Sequence, residues 1–237
     1  MREVISVCMA THNGALYIEE QLSSILMQLS HKDEIIISDD SSTDDTLKII
    51  KSFGDSRIKL FSNDFHDVKL NFEFCIKQAN GKYIFLSDQD DVWKPNKVER
   101  MLHFLTRGYA LVLSDASIFD SSSQKIMHES FFEFNGSKPG LINNLVKNSF
   151  IGCCLAFDSI ILKKILPFPS KIPMHDSWIG LVSILFFKVK FVEESLVFYR
   201  KHSNNISTTS TGKSNYTLFE KVKFRYFLLL NLLKSNF

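Results

Sequence analysis

Four short apolar runs rich in β-branched and aromatic residues, at 4–9, 34–38, 57–61 and 83–86, alternate with segments whose apolar residues recur at helical spacing. This alternation restricts the fold more than any other feature. A strand, a helix and a second strand in succession pack as a parallel pair with the helix across one face, and repeating the unit builds a doubly wound sheet. The intervening helices are expected at 16–29, with Leu16, Ile18, Leu22, Ile25, Leu26 and Leu29 on one face, at 45–53 behind the capping residues 41–44, and at 70–79, stopped by Gly81. Pro95 opens a fourth helix that runs to Leu105, and a fifth strand is expected at 110–113.

Open α/β sheets bind ligands beyond the carboxyl ends of their strands. Three polar clusters fall there: Thr11-His12-Asn13-Gly14 after the first strand, Asp39-Asp40-Ser41-Ser42 after the second, and Ser87-Asp88-Gln89-Asp90-Asp91 after the fourth. Together they mark a site more strongly than any one alone.

The second half is less regular. Residues 119–140, rich in Ser, Phe and Asn, have no clear period and are expected to form a long loop or irregular insertion. Short helices are expected at 141–146 and 160–166, a buried helix at 177–187, strands at 151–157 and 189–197, a Ser/Thr/Asn-rich loop at 202–215 and a terminal helix at 217–233. No internal repeat and no Pro/Gly linker divides the chain. A single domain over 1–237 is expected, with a nucleotide half (1–115), an acceptor half (116–215) and a terminal amphipathic helix (216–237).

Of the 237 residues, 45% are hydrophobic and 23% charged, which suits a sizeable core and excludes disorder. A net charge of +2 carries no signal for nucleic acid. From Tyr199 onward seven Lys/Arg face one acid, a net +6 that leaves −4 for the remainder of a chain totalling +2. Such a tail suits phosphate groups or an anionic lipid surface. Cys8, Cys75, Cys153 and Cys154 form no C-x-x-C pair and read as reduced, buried thiols. There is no signal-peptide pattern, and no apolar run reaches the about 20 residues of a membrane span. A cytoplasmic protein is expected, peripheral at most on the inner face of the membrane.

Asp88, Asp90 and Asp91 place three carboxylates within four positions. Their repulsion is relieved by a hard divalent cation, Mg²⁺ or Mn²⁺ shared with phosphate oxygens, or by simple solvation in an acidic turn that caps the next helix. Asp39 and Asp40 begin an Asx/Ser turn, and their carboxylates are also able to accept hydrogen bonds from a base N–H or ribose hydroxyls.

These segments resemble family-two glycosyltransferases, which have the GT-A fold. Ala10-Thr11-His12-Asn13-Gly14 resembles the family's T-[YH]-N strand end. Ile37 to Asp44 resembles V-D-D-G-S-x-D, with Ser41 where the family often has Gly. Leu86 to Trp93 resembles L-D-x-D-D, and its extension through Pro95 and Lys97 is similar to bacterial polysaccharide transferases, rhamnosyltransferase-like ones included. The resemblance implies that Thr11 and Asn13 line a nucleotide pocket, that Asp39 contacts the base with Asp40 beside it, and that Asp88 lies near ribose and metal. It makes Asp90 the main metal ligand, with Asp91 in support, and gives the metal the task of neutralising a diphosphate leaving group.

In the second half, Met174-His175-Asp176-Ser177-Trp178 resembles the family's [EH]-D-x-[WD] segment. This implies that Asp176 is the base that deprotonates the acceptor hydroxyl; otherwise it is an N-cap. Gly152-Cys153-Cys154 resembles a strand that passes the donor sugar, or is simply a packed small-residue strand. Tyr199-Arg200-Lys201-His202 resembles Y-R-x-H. There His202 is a third metal ligand or a diphosphate contact, Arg200 and Lys201 bind phosphate, and the loop that follows folds over the donor. Phe219, Val222, Tyr226, Leu229, Leu230 and Leu233 form a stripe on the terminal helix that packs on its own domain, pairs in a homodimer or rests on an anionic membrane.

The implied activity is an inverting, metal-dependent transfer of a sugar from a UDP-hexose or dTDP-rhamnose donor. The implied acceptor is a growing O-antigen or capsule glycan or a polyprenyl-linked oligosaccharide. A nucleotidyltransferase is the alternative enzyme, but it calls for a basic, Gly-rich loop that the chain's first motif lacks. A non-catalytic nucleotide-sugar-binding module leaves Asp176 without a task.

Overall fold

The apolar runs pair as their composition requires. A computed structural model describes residues 3–123, 125–202 and 217–234, with the side chains of 218, 219, 221, 233 and 234 outside the description. In the first half, strands β1 (Ile5–Thr11), β2 (Glu34–Asp40), β3 (Ile58–Asn63) and β4 (Tyr83–Asp88) are joined by helices α1 (Ile18–Leu26), α2 (Thr46–Ser52) and α3 (Val68–Gln78). Then come β5 (Val92–Trp93), α4 (Lys97–Leu105), β6 (Leu111–Asp120), β7 (Lys125–His128), α5 (Phe131–Asn135) and α6 (Leu141–Val146). β8 (Leu155–Asp158), α7 (Leu162–Ile165), α8 (His175–Phe186), β9 (Val189–Lys201) and α9 (Leu218–Lys234) complete the described elements.

One sheet runs in the order β3-β2-β1-β4-β8-β6-β9-β5, with β7 paired to β6. The first four strands are parallel. β2 is buried along its whole length, as a central parallel strand covered on both faces must be, whereas β3 at the edge alternates toward solvent. β8 lies antiparallel between β4 and β6, and β6 and β9 return to parallel pairing. The sheet is therefore mostly parallel α/β, not uniformly so. β8 has only four residues, too few for its apolar pattern to report strand direction.

Residues 119–140 are not an irregular loop. β6 continues to Asp120, turns back as β7 and leads into α5. The organising group is Asp115, which accepts hydrogen bonds from Ser130 Oγ (2.5 Å), the Phe132 amide (2.9 Å) and the Ala116 amide (2.8 Å). The expected strand at 151–157 begins instead as a 3₁₀ turn, Gly152–Cys154, before β8. β9 runs to Lys201, four residues beyond expectation, and the two-residue β5 had no sequence signal. The loop expected at 202–215 lies outside the described residues after His202.

Candidate active site

Strand register brings the three polar clusters together. Thr11 stands opposite Asp39 across the β1–β2 pair, and Ala10 opposite Asp88 across the β1–β4 pair. The carboxyl ends of β2, β1 and β4 thus form one rim. Beside it opens a cavity of about 530 Å³ whose lining includes Thr11, His12, Asp40, Asp67, Lys69 and Asn71.

The two acids of β2 anchor the walls of this cavity. Buried Asp39 accepts from Thr11 Oγ1 (2.9 Å), Ser42 Oγ (2.6 Å) and the Ser42 amide (2.9 Å), tying the ends of β1 and β2 together. Asp40 accepts from the amides of Phe65 (2.6 Å), His66 (3.0 Å) and Asp67 (3.2 Å), which holds the β3–α3 loop over the cavity. Asn13 adopts a positive φ of 49°, and its Oδ1 accepts from the Thr43 amide at 2.8 Å. Gln89, to which the sequence reading gave no role, holds both sides of the His12 backbone: Oε1 accepts from the amide (3.0 Å) and Nε2 donates to the carbonyl (2.9 Å). A Cβ on Gly14 would lie 2.2 Å from Gln89 Oε1, so the glycine makes that clasp possible. Asn71, also missed, is buried on the cavity wall; its Nδ2 faces the Thr11 carbonyl at 3.5 Å while its Oδ1 has no protein partner.

The acidic run divides into two parts. Asp90 reaches outward, with Oδ2 2.8 Å from His202 Nε2, and the His202 ring stacks on Tyr17 at 4.8 Å. Asp91 points inward and is fully buried; its Oδ1 accepts from the Arg200 amide (2.9 Å), and its Oδ2 has no partner. A ligand atom each from Asp88, Asp91 and Cys153 fall within 4.8 Å of one another. Burial, then the charges of Asp90 and Asp176, push the Asp88 carboxyl up to about 7. Burial followed by the charges of Asp90 and Asp88 raises Asp91 well above the usual carboxylate range.

The counter-charge comes from Lys97, the first residue of α4 and fully buried. Its Nζ donates to the Cys153 carbonyl at 2.5 Å and lies 4.1 Å from the centroid of the Trp93 ring. Burial lowers its pKa, opposed by the nearby thiols and by Asp91 and Asp88. A lysine at a helix start carries no sequence signal of burial, because lysines there are ordinarily solvated.

Arg200 lies behind the acidic run. Its Nε donates to the Asp90 carbonyl (2.7 Å), an Nη pairs with Glu20 (2.5 Å), and the guanidinium sits between the rings of Tyr17 and Phe119. A phosphate contact by Arg200 therefore requires the Glu20 pair to open.

Asp176 reaches the same cluster from the far half of the chain. It lies in the first turn of α8, inside the helix, and Met174 occupies the cap position. Its carboxylate accepts from the Ser177 amide at 2.5 Å and from the Gly152 amide. Burial pushes its pKa up to about 7. Gly152 is thus a backbone donor to Asp176, and a Cβ there would stand 3.0 Å from His175 Nε2. His175 stacks on Phe72 at 4.1 Å, and burial depresses its pKa to about 3, so the imidazole is neutral.

The donor set suits a hard divalent cation. Carboxylate oxygens are the ligands such an ion takes, and the structure offers them in two places: Asp88 with Asp91, whose buried Oδ2 lacks a hydrogen bond, and outward-facing Asp90 beside the His202 imidazole. Cys153 is a poor ligand for such an ion, because burial first, and then the Cys154 thiol, keeps its own thiol protonated.

The sequence profile of Glycosyl transferase family 2 matches residues 6–166, more than half of the chain. The chain belongs to this family. Among relatives, the Escherichia coli UDP-Glc:alpha-D-GlcNAc-diphosphoundecaprenol beta-1,3-glucosyltransferase WfgD is 28% identical over 72% of this chain and 64% of its own length. The dTDP-rhamnosyl transferase RfbG of Shigella flexneri is 34% identical over 60% of this chain and 55% of its own. The chain thus spans less than two thirds of the length of either. In structure it is similar to S. aureus TarS 1-349 in complex with UDP-GlcNAc, with a TM-score of 0.71 and 17% identity over 96% of this chain and 66% of that one. It is also similar to the mannosyltransferase PcManGT from Pyrobaculum calidifontis in complex with GDP-Man and Mn²⁺, with a TM-score of 0.64 and 14% identity over 99% of this chain and 74% of that one. The fold of this family-two chain is GT-A.

Proposed function

We propose that the chain transfers a sugar from a nucleotide-diphosphate donor to an acceptor hydroxyl with inversion, and that Asp176 is the general base. The observation that carries this reading is the placement of Asp176. A carboxyl with its pKa near 7 stands among the strand-end acids, fixed by two backbone amides at the start of α8. A base works best when its pKa lies near the working pH. Asp176 takes the proton of the attacking hydroxyl as that oxygen bonds to the anomeric carbon, opposite the breaking bond to the diphosphate oxygen. The electron pair of that bond leaves with the nucleoside diphosphate.

Asp90 and His202, which face outward together, would hold Mn²⁺ or Mg²⁺, with Asp91 and Asp88 supporting them from the buried side. Bound there, the cation supplies positive charge to the diphosphate oxygens as they take up negative charge. Thr11, Asn13, Asp39 and Asp40 shape the nucleotide side, and the cavity between them and Asn71 takes the base and ribose. Arg200 then meets phosphate once released from Glu20. The names of the relatives favour a UDP-hexose or dTDP-rhamnose as donor and a diphosphopolyprenol-linked sugar as acceptor; that the glycan is an O-antigen or capsule precursor is our own reading. One sheet running through both halves supports their acting as a single domain. No helix among the described residues is long and apolar enough to cross a membrane, so we place contact with a lipid-linked acceptor at the surface of the bilayer.

The test is nucleoside diphosphate release from UDP-, dTDP- and GDP-sugars, with a diphosphopolyprenol-linked sugar as acceptor, in Mn²⁺ and in chelator. One donor class should support release, only with metal, and Asp90→Ala should abolish both release and the metal-dependent thermal shift that the donor produces. Release that persists in chelator refutes the metal dependence. Asp176→Asn that turns over normally refutes the base.

A further inference from the structure

Among the described residues, Arg225 fastens the terminal helix to α6 through polar contacts. Arg225 donates from Nε to the Leu145 carbonyl at 2.8 Å and from an Nη to the Val146 carbonyl at 2.5 Å. These belong to the last turn of α6, where carbonyls lack partners within the helix and a cation is favoured. Leu228 and Leu232 of the same helix are buried, and the Lys171 ammonium lies 5.1 Å from the Phe227 ring.

The docking leaves a row of large apolar side chains in solvent. Val222 and Leu229 stand three before and four after Arg225, its neighbours on the helix surface, and Tyr226 follows it directly. They are 55%, 45% and 59% exposed. On α6, Ile142 and Val146 lie one turn apart and are 76% and 65% exposed; Val146 is the residue whose carbonyl Arg225 holds. Five exposed apolar residues therefore sit on two helices that Arg225 joins. The charges among them are positive: Lys147 next to Val146 and Lys223 next to Val222, both exposed, with Arg225 between the helices. The acid of α9's first turn, Glu220, is bonded to Thr217.

We propose that α6 and α9 together form a docking face for an anionic bilayer surface. Apolar side chains interleaved with Lys and Arg enter the headgroup boundary while the cations meet lipid phosphate. A two-fold pair of this chain through the same face would bring together two surfaces whose charges, Lys147, Lys223 and Arg225, are all positive, which disfavours a dimer as the occupant. The face depends on no donor chemistry, though it gives the proposed lipid-linked acceptor its location.

The experiment is co-sedimentation of the full chain with phosphatidylcholine vesicles, with and without phosphatidylglycerol. Wild type should bind the anionic vesicles, more weakly at high salt, and should bind pure phosphatidylcholine poorly. Val222→Glu/Tyr226→Glu and Ile142→Glu/Val146→Glu should each weaken binding by at least about tenfold. Ile142→Ser/Val146→Ser, a milder change, should weaken it in the same direction. Thermal shift by donor nucleotide, measured on the same samples, should be unchanged in every variant, so loss of the face and failure of the donor reading are separable. The proposal is overturned if wild type ignores anionic vesicles, if the α6 variants bind as wild type does, or if size-exclusion shows a dimer that these variants dissolve.

Discussion

Replacing Asp176 by Asn should cut turnover sharply and, above about pH 7, stabilise the fold at the same time. The carboxyl has moved from its ordinary 3.8 to about 7 because it is buried. Once ionised, it therefore carries a penalty of about 4 kcal/mol, at 1.36 kcal/mol per pH unit. Asn is nearly isosteric and uncharged. It keeps one acceptor for the amides of Ser177 and Gly152 but turns its NH₂ toward the other, which returns about 2 kcal/mol. The net gain is about 2 kcal/mol, or roughly 4 to 8 °C in melting temperature for a chain of this size. The direction with pH follows from the raised native pKa. Between about 4 and 7 the native state holds a proton that the unfolded chain has released, so wild type loses stability as pH rises through that window and none further above it. The variant should be about 2 kcal/mol less stable than wild type at about pH 4, where both side chains are neutral, draw level within the window, and stay about 2 kcal/mol more stable above about pH 7. Calorimetry in chelator, where no cation offsets the charge, measures it. Turnover should fall by about 10²–10⁴. A variant less stable than wild type at pH 8, or a gap independent of pH, refutes the account of Asp176 as a strained, buried carboxyl.

Two further changes test the supports of the site. Lys97→Met leaves Asp88 without its buried counter-charge once that carboxyl ionises, so the variant should lose stability relative to wild type as pH rises through about 7, read from urea unfolding at pH 5.5 and 8.5; a loss that is the same at both pH values would mean that Lys97 does not act on the Asp88 charge. Gly180→Ala places a Cβ 2.2 Å from Cδ2 of the Phe150 ring. A ring packed in the core yields little, so a loss of about 1–3 kcal/mol is expected by thermal unfolding, and an unchanged midpoint would show that Phe150 moves freely.

What the amino-acid order determines here is local or pairwise along the chain. β-branched runs, helical spacing and polar strand ends specify an α/β sheet with its ligand rim at Thr11, Asp39 and Asp88, because each signal is complete within about ten residues. Asp90 and Asp91 are visible for the same reason, as like charges crowded into one turn. Tertiary structure decided the rest. The reversal of β8 and the hairpin within 119–140 depend on which edge a short strand meets, not on its own pattern. The division of labour within the acidic run, Asp90 outward to His202 and Asp91 inward toward Lys97, depends on β9 and α4 arriving from elsewhere. The pKa of Asp176 was likewise beyond the sequence. Its residue type and motif mark it as a candidate base, but the burial that raises its carboxyl to about 7 exists only once α8 closes over the strand ends. Gln89 and Lys97 stand within the matched motif, but their roles were not legible: by residue type they belong on the surface, and only the fold removes Lys97 from water and aims Gln89 at a backbone.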